Sequence, residues 1–486
     1  MLFRLLPLLH VLGAMLMFFS ITYLMPIAAS LIYADGTLID FAAAMAIAFV
    51  CGALMFLAGR RAKRELKPRD GFLLVALAWL LMAAIATVPL MMVIDELSFT
   101  DAFFETMSGL STTGATVLTG LEKLPPAVNI WRHELNWLGG MGIIVLAVAI
   151  LPMLGVGGMQ VYKAEVTGIS KESKLTARIT DTAKALWMAY FVISVACILA
   201  LKAVGLSWLD AICHAFAAMG LGGFSTYDAS VGQFDSPAVE AVLIVFMIIA
   251  ALNFATHFLV WREKSLRVYA HDPEAKAVVG LLVVSTLICS LYLAVMETYP
   301  DFLTSLRHVA FNLVSIATDC GFASQDYDKW PIFVPLWMLF LSCITVSSGS
   351  TGGGIKMVRT LILAQQAHIE LKKLIHPRAV VPLRVGGMIV SPSIAGAVLG
   401  FIFLYILTVG ELTFFLVASG LDFTSSITAI IACINNAGPG LNVVGPAQNY
   451  QGLTDFQTWV CTAAMFIGRL EVMTVFVLMT PSFWRS

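Results

Sequence analysis

Of the chain's 486 residues, 59% are hydrophobic and only 12% are charged, with a mean hydropathy of +0.89, whereas a soluble domain carries roughly twice that charge density. A net charge of −1 argues against a nucleic-acid partner. The eight cysteines are scattered, mostly inside apolar runs and with no Cys-x-x-Cys pair, so neither disulfides nor a zinc site is expected.

A membrane-spanning helix needs about 20 apolar residues, and the sequence offers about ten such runs. The first, residues 5–31, is too long for the apolar part of a signal peptide and has no clear cleavage site behind it, so it reads as a retained helix. With residues 38–57 it forms an N-terminal hairpin, residues 1–65, that contains no half-length segment of the kind described next.

Lysine and arginine collect in four clusters. The first holds Arg60, Arg61, Lys63, Arg64, Lys67 and Arg69, and the second Lys163, Lys171, Lys174 and Arg178. The third holds Arg262, Lys264, Arg267 and Lys276, and the fourth Lys372, Lys373, Arg378 and Arg384. The intervening segments 33–40, 228–235 and 326–328 are acidic or neutral. Short cytoplasmic loops are enriched in basic residues, which puts both termini on the cytoplasmic side.

Between these clusters the chain divides into four units, residues 66–160, 161–262, 263–376 and 377–486. In each, a half-length apolar stretch leads into small residues. Residues 101–107 run into Ser111-Thr112-Thr113-Gly114-Ala115-Thr116, and 210–219 into Gly220-Leu221-Gly222-Gly223-Phe224-Ser225. Residues 306–317 run into Thr318-Asp319-Cys320-Gly321-Phe322, and 422–434 into Asn435-Asn436-Ala437-Gly438-Pro439-Gly440. Gly114, Gly223, Gly321 and Gly438 thus recur about every 100 residues, which predicts four pseudo-symmetric helix–pore loop–helix repeats in an all-α polytopic membrane protein.

Non-helical backbone at membrane depth is tolerated only where protein buries it or water bathes it, so four such segments at one depth predict a shared wet axis. Four ordinary glycine-containing loops would not each follow an amphipathic half-helix. Backbone carbonyls held by small residues can replace a cation's hydration shell. The half-helices aim their negative C-terminal ends at the same axis, and Asp101 and Asp210 are expected to cap the opposite ends of the first two. No copy carries Thr-Val-Gly-Tyr-Gly, so the filter is expected to be short.

Between residues 337 and 363, in the third unit only, an apolar helix is expected to break at Ser347-Ser348-Gly349-Ser350-Thr351-Gly352-Gly353-Gly354-Ile355-Lys356. Lys356 sits between Ile355 and Met357, so this is not a phosphate loop. Arg469 lies within the apolar run 456–480, where a charge costs several kcal/mol. Glu471, two residues on, projects to another helix face and is not expected to pair with it.

These four segments, with residues 347–356 and Gly468-Arg469-Leu470-Glu471, resemble the Trk/Ktr/HKT superfamily, specifically bacterial TrkH-type potassium uptake proteins, over essentially the whole chain. Glycine at all four filter positions accompanies K⁺ selectivity in that family. The resemblance assigns ion-lining carbonyls to Thr112, Thr113 and Gly114, to Gly220, Leu221, Gly222 and Gly223, to Thr318, Asp319, Cys320 and Gly321, and to Asn435, Asn436, Ala437 and Gly438. Asp319 has two readings: its carboxylate raises the local cation concentration, or, as expected here, its backbone oxygen faces the ion while the side chain bonds behind the filter. The resemblance further implies a gating loop over residues 347–356, with Gly349, Gly352, Gly353, Gly354 and Lys356, and Arg469 as an electrostatic barrier below the filter. It implies K⁺ as the ion carried, no organic cofactor, a homodimer in the bacterial inner membrane, and a cytosolic ring of NAD/ATP-binding regulatory subunits of the TrkA type.

A secondary transporter coupling K⁺ to H⁺ or Na⁺ is the alternative, since broken helices and repeats occur there too; the parallel sense of these repeats favours a channel-like pore. An enzyme is disfavoured. His133 and Glu134 are expected at a helix start without a partner histidine, and His214 and His308 in packing or pore-helix capping.

Overall fold

The computed structural model describes residues 2–60, 68–145 and 179–484. Arg61, Lys63, Arg64 and Lys67 of the first basic cluster and all four residues of the second lie outside the described residues. The regular secondary structure of the described chain is helical apart from a two-stranded hairpin, Arg384–Val385 with Met388–Ile389. That hairpin turns on Gly386 and Gly387, both at positive φ, as a tight turn of the primed kind requires.

The N-terminal hairpin is observed. Leu2–Phe19 and Leu24–Tyr33, joined by a short 3₁₀ turn, pack against Leu38–Gly59. The contact is glycine-mediated: a Cβ on Gly13 would lie 2.6 Å from the Gly52 carbonyl oxygen, so these backbones approach as closely as small residues allow. At the turn, Asp35 accepts from the Ser30 and Thr37 hydroxyls and from the Ala127 backbone N–H at 2.9 Å. One carboxylate therefore closes the hairpin and docks it to the next domain. Tyr23 stacks at 4.3 Å on Trp131, completing that junction.

Each unit then supplies an outer helix, a short pore helix and an inner helix. The outer helices are Pro68–Val93, Ile179–Ala203, Pro273–Val295 and Pro392–Ala418. The pore helices are Phe99–Leu110, Trp208–Gly220, Phe302–Ala317 and Phe423–Asn435. At 12 to 16 residues they reach roughly 18–24 Å, too short to cross a core of about 30 Å. Several long helices begin at proline, among them Pro126, Pro237, Pro273 and Pro392, whose missing N–H is harmless in the first turn.

The inner helices differ most from expectation. Pro126–Val145 is the first. The second is broken into Pro237–Ala251 and Phe254–Glu263, bent by 99°, and the fourth into Asp455–Arg469 and Val472–Met479, bent by 107°. The third consists of Phe333–Ile344 and Met357–Ile375 with a non-helical loop between. The interruption is thus not confined to the third unit. The sequence hid the other two breaks because Leu252-Asn253 and Leu470-Glu471 carry neither glycine nor proline.

Among the described residues, six helices are long and apolar enough to cross a membrane, and eight if each bent pair is one span. Outward-facing side chains on these helices are apolar, such as Phe18, Ile32 and Phe403, each at least 66% exposed, which suits lipid and not water. The pore helices are buried on nearly every face. Two large apolar cores enclose them: one joins units two and three, and the other joins the N-terminal hairpin to units one and four.

Candidate permeation site

The pore helices start at capped ends. Ser98 and Ser207 are the N-caps of the first two, each accepting from the backbone N–H three residues on, of Asp101 and Asp210, while its hydroxyl donates back to that carboxylate. Asp101 and Asp210 are therefore first-turn partners of a serine cap and not the caps expected. Asp301 and Asp422 do cap the third and fourth pore helices, accepting from Thr304 and Ser425 N–H at 2.9 Å.

All four pore helices end in one way. The N–H groups of Thr112, Leu221, Asp319 and Asn436 bond three residues back, and those of Thr113, Gly222, Cys320 and Ala437 bond five residues back, the pattern of a left-handed helix stop. The residue that turns left-handed is Thr112 (φ 56°), Leu221 (54°), Asp319 (64°) or Asn436 (59°). Such a stop ordinarily takes glycine. A β-branched Thr112 and a bulky Leu221 there are genuine outliers, and backbone strain of this kind concentrates at functional sites.

Two residues further on, Gly114, Gly223, Gly321 and Gly438 are left-handed again, at φ 79°, 61°, 91° and 85°. A methyl on Gly114 would overlap the Gly222 carbonyl, one on Gly223 the Cys320 carbonyl, and one on Gly321 the Ala437 carbonyl. A methyl on Gly438 would lie 2.6 Å from the Thr113 oxygen. Each glycine thus abuts the carbonyl just before the glycine of the next unit, and the fourth returns to the first. The four segments form one closed ring in chain order.

The loop of unit three lies against this ring. A Cβ on Gly353 would overlap the Asn435 carbonyl oxygen, and one on Gly352 would lie 3.2 Å from the Thr318 oxygen. The loop also mends the broken second inner helix. Ala251 and Ala250 carbonyls accept from Ser347 and Thr351 N–H, and Phe254 N–H donates to Gly349, so two interruptions satisfy each other's backbone groups. Ser348 N–H donates to the Glu274 carboxylate at 2.8 Å, and Lys356 Nζ donates to the Gly352 carbonyl. Only Gly349 and Gly354 of the loop glycines have positive φ; Gly352 and Gly353 are needed for close approach.

Arg469, at the bend of the fourth inner helix, is buried and donates to the Thr351 carbonyl at 2.8 Å and the Gly139 carbonyl at 2.7 Å. It does not pair with Glu471, which instead binds Arg359 at 2.8 Å. Arg359 also stacks over Phe401 at 3.9 Å.

The sequence-predicted residues converge, with differences in detail. Gly220 is the last residue of its pore helix and packs against Asn136, 2.5 Å from a notional Cβ to that carbonyl. Asn435 turns its amide outward to Ser342 and Tyr405, and Asn436 donates to Thr113 Oγ1 at 3.0 Å, tying unit four to unit one. The Asp319 carboxylate makes no hydrogen bond of normal geometry and lies within electrostatic reach of Lys356, Gly353 N–H and Arg469; it addresses the loop, not the back of the filter. His133 is mid-helix, bonded to Asn129 O. His214 bonds Ser225 and His308 stacks on Tyr299, so neither caps a helix. Sequence reasoning missed Glu105 and Arg132, a fully buried ion pair behind the first filter segment; charged residues inside apolar stretches were the available signal.

A family model described as TrkH, cation transport protein, matches residues 38–486. The Trk system potassium uptake protein TrkH of Halomonas elongata is 45% identical over 479 residues, covering 98% of this chain and 99% of that protein. The protein of the same name in Escherichia coli K12 is 42% identical over 478 residues, with the same coverage. The crystal structure of the potassium transporter TrkH from Vibrio parahaemolyticus superposes with a TM-score of 0.91 at 40% identity, covering 99% of this chain and all of that one.

Proposed function

The chain belongs to the TrkH family of cation transport proteins, whose curated members are transporter subunits and not enzymes, and we propose that it is the K⁺-conducting transmembrane subunit of a potassium uptake system. The observation that carries this reading is the closed ring of Gly114, Gly223, Gly321 and Gly438. Positive φ at every second residue directs carbonyls of the four segments toward one axis, where stacked oxygens replace the hydration shell of a monovalent cation.

Ions pass through oxygens of residues 112–114, 220–223, 318–321 and 435–438, with the pore helices adding a cation-favouring field from their C-terminal ends. The loop from Ser347 to Lys356 closes the path beneath, and Arg469 holds it shut while opposing cations with its charge. Conduction requires the loop to leave the ring. The chain works as a homodimer in the bacterial inner membrane with both termini cytoplasmic. A cytosolic NAD/ATP-binding ring of the TrkA type, docked on the basic loops, drives the opening.

The test is Rb⁺ or K⁺ flux against Na⁺ and Li⁺ in proteoliposomes of the purified chain with its regulatory subunit, for the parent, Gly223→Ser and Arg469→Ala. K⁺-selective flux that loses selectivity with the first substitution and rises with the second is the expected result. Absence of flux in the parent, or silence of both substitutions, overturns the reading. Flux that stops when a proton or Na⁺ gradient is collapsed makes the chain a coupled transporter.

A further inference from the structure

Nine residues before each filter glycine the chain has Glu105, His214, Asn312 and Ala429. Three of these brace the strand leaving the filter in their own unit. Glu105 accepts from Thr116 Oγ1 at 3.0 Å and from Val117 N–H at 3.1 Å. His214 Nε2 meets Ser225 Oγ at 3.0 Å. Asn312 donates to Ser324 Oγ and accepts from Ser324 N–H, both at 3.0 Å. In the fourth unit Ala429 has no polar atom, and its neighbour Thr428 accepts from Leu441 N–H at 3.0 Å instead.

A brace of this kind therefore recurs in all four units, from the position nine residues before the glycine in three of them and from the adjacent Thr428 in the fourth, and three of the four braces are side chains other than carboxylates. Only the first is a carboxylate, and it brings a buried counter-charge. Arg132, on the first inner helix, donates to Glu105 from both Nε and Nη2 at 2.8 Å, with both side chains 1% exposed or less. Burying two charges is expensive and gains little stability over neutral packing, so the exception calls for a reason particular to this seam.

The rest of the guanidinium supplies one. It donates to Thr116 Oγ1 and to the Ser225 carbonyl, each at 3.3 Å, and lies 4.3 Å over the Phe224 ring. Thr116 stands two residues after Gly114, and Phe224 and Ser225 one and two residues after Gly223. One planar fork thus grips the strands leaving the first and second filter segments, at the seam where Gly114 abuts the Gly222 carbonyl.

We infer that the Glu105–Arg132 pair is a specificity-determining clamp that fixes the separation of the first two filter strands and thereby the K⁺-over-Na⁺ preference, without touching the ion. The inference rests on the reading of the four segments as a K⁺ filter. A carbonyl cage discriminates through the spacing and stiffness of its oxygens, and a rigid guanidinium fork bonded to both strands limits the closure that a smaller ion demands. These are positioning residues.

The experiment compares K⁺ and Na⁺ flux ratios in proteoliposomes of the full chain with its regulatory subunit, for the parent, Thr116→Val, Glu105→Gln, Glu105→Gln/Arg132→Gln and the control Arg307→Gln. Arg307 joins Glu240 and Asp235 across units two and three, and none of its hydrogen bonds or ion pairs reaches the strands leaving the first two filter segments. Thr116→Val and the double variant are expected to lower the ratio by about tenfold, the factor that corresponds to ~1.4 kcal/mol, while Arg307→Gln keeps the parental ratio. If Glu105→Gln does not fold, the double variant, which leaves no charge unpaired, carries the test. Parental ratios in folded Thr116→Val and double variants, beside a K⁺-selective parent, overturn the clamp alone. A parent without K⁺-preferring flux overturns the filter reading and the clamp with it.

Discussion

The Arg469 guanidinium and the Thr351 carbonyl, 118 residues apart, are joined by a 2.8 Å hydrogen bond that ties the loop of unit three to the bend of unit four. The same guanidinium donates at 2.7 Å to the Gly139 carbonyl, so one side chain of unit four bonds units one and three. A charge-assisted hydrogen bond of this kind contributes about 1.5–3 kcal/mol. Arg469→Ala should therefore shift the loop toward its displaced state by roughly 10–100-fold and raise Rb⁺ flux without the regulatory subunit. Arg469→Lys, which keeps the charge but loses the fork, should fall between. Equal flux from Lys and parent would assign the effect to charge and not to the tether.

The glycine ring predicts an order of severity. A methyl on any of the four would crowd a neighbouring backbone carbonyl, most severely on Gly114 and least on Gly438, where the distance is 2.6 Å. A left-handed backbone adds roughly 1–3 kcal/mol of strain for any side chain there. Alanine at Gly438 should retain the most K⁺ over Na⁺ discrimination in flux assays, and alanine at the other three the least. Uniform loss across the four, or Gly438→Ala as the worst, would contradict the ring geometry.

Much of this was legible in the sequence, for a physical reason. The small polar segments around Gly114, Gly223, Gly321 and Gly438, the Ser347–Lys356 run and Arg469 interrupt apolar sequence with groups that lipid cannot satisfy, so each stands out against its background. What stayed hidden depends on tertiary proximity. Glu105 and Arg132 are 27 residues apart, Arg359 and Glu471 112 apart, and nothing local indicates either pairing. At the first two pore helices a serine hydroxyl takes the capping role expected of the carboxylate three residues on, because Ser98 and Ser207 stand at the N-cap position itself. The bends at Leu252-Asn253 and Leu470-Glu471 escaped because neither step carries a glycine or proline, and the groups that accompany them, the loop bonded to Ala250, Ala251 and Phe254 and the Arg359–Glu471 ion pair, come from distant sequence.

Asp35 offers a test of how the N-terminal hairpin is held. Burial pushes its carboxyl up, but bonds from Ser30, from the Ala127 and Thr37 N–H groups and from the Thr37 hydroxyl outweigh burial and hold it below the ordinary carboxylate range. A carboxylate depressed on folding contributes stability that is present above its unfolded value, about 3.9, and is lost as pH falls through its folded value. Thermal unfolding of the detergent-solubilised chain should therefore drop in temperature below about pH 4, and Asp35→Asn should flatten that drop while lowering the neutral-pH value. An unchanged acid slope in Asp35→Asn would place the acid-labile group elsewhere.

The loop glycines separate two explanations of gating. If Gly352, Gly353 and Gly354 serve backbone flexibility, alanine at any of them should stiffen the loop and lower flux. The geometry argues otherwise for Gly353, where φ is not left-handed but a methyl would overlap the Asn435 carbonyl and lie 3.0 Å from Asn436 Oδ1. If the loop is the gate proposed above, closure requires the missing side chain at Gly353, and displacement of the loop from Asn435 relieves that requirement. Gly353→Ala should destabilise closure selectively and raise Rb⁺ flux without the regulatory subunit. Over-packing costs of about 1–3 kcal/mol correspond to a rise of roughly 5–150-fold. Gly349, by contrast, has φ 72° and accepts from Phe254 N–H, and a Cβ there would lie 2.9 Å from Asn253 Oδ1, so Gly349→Ala should strain the loop and weaken its docking on Asn253. A fall in flux for Gly353→Ala would return the loop to the flexibility account.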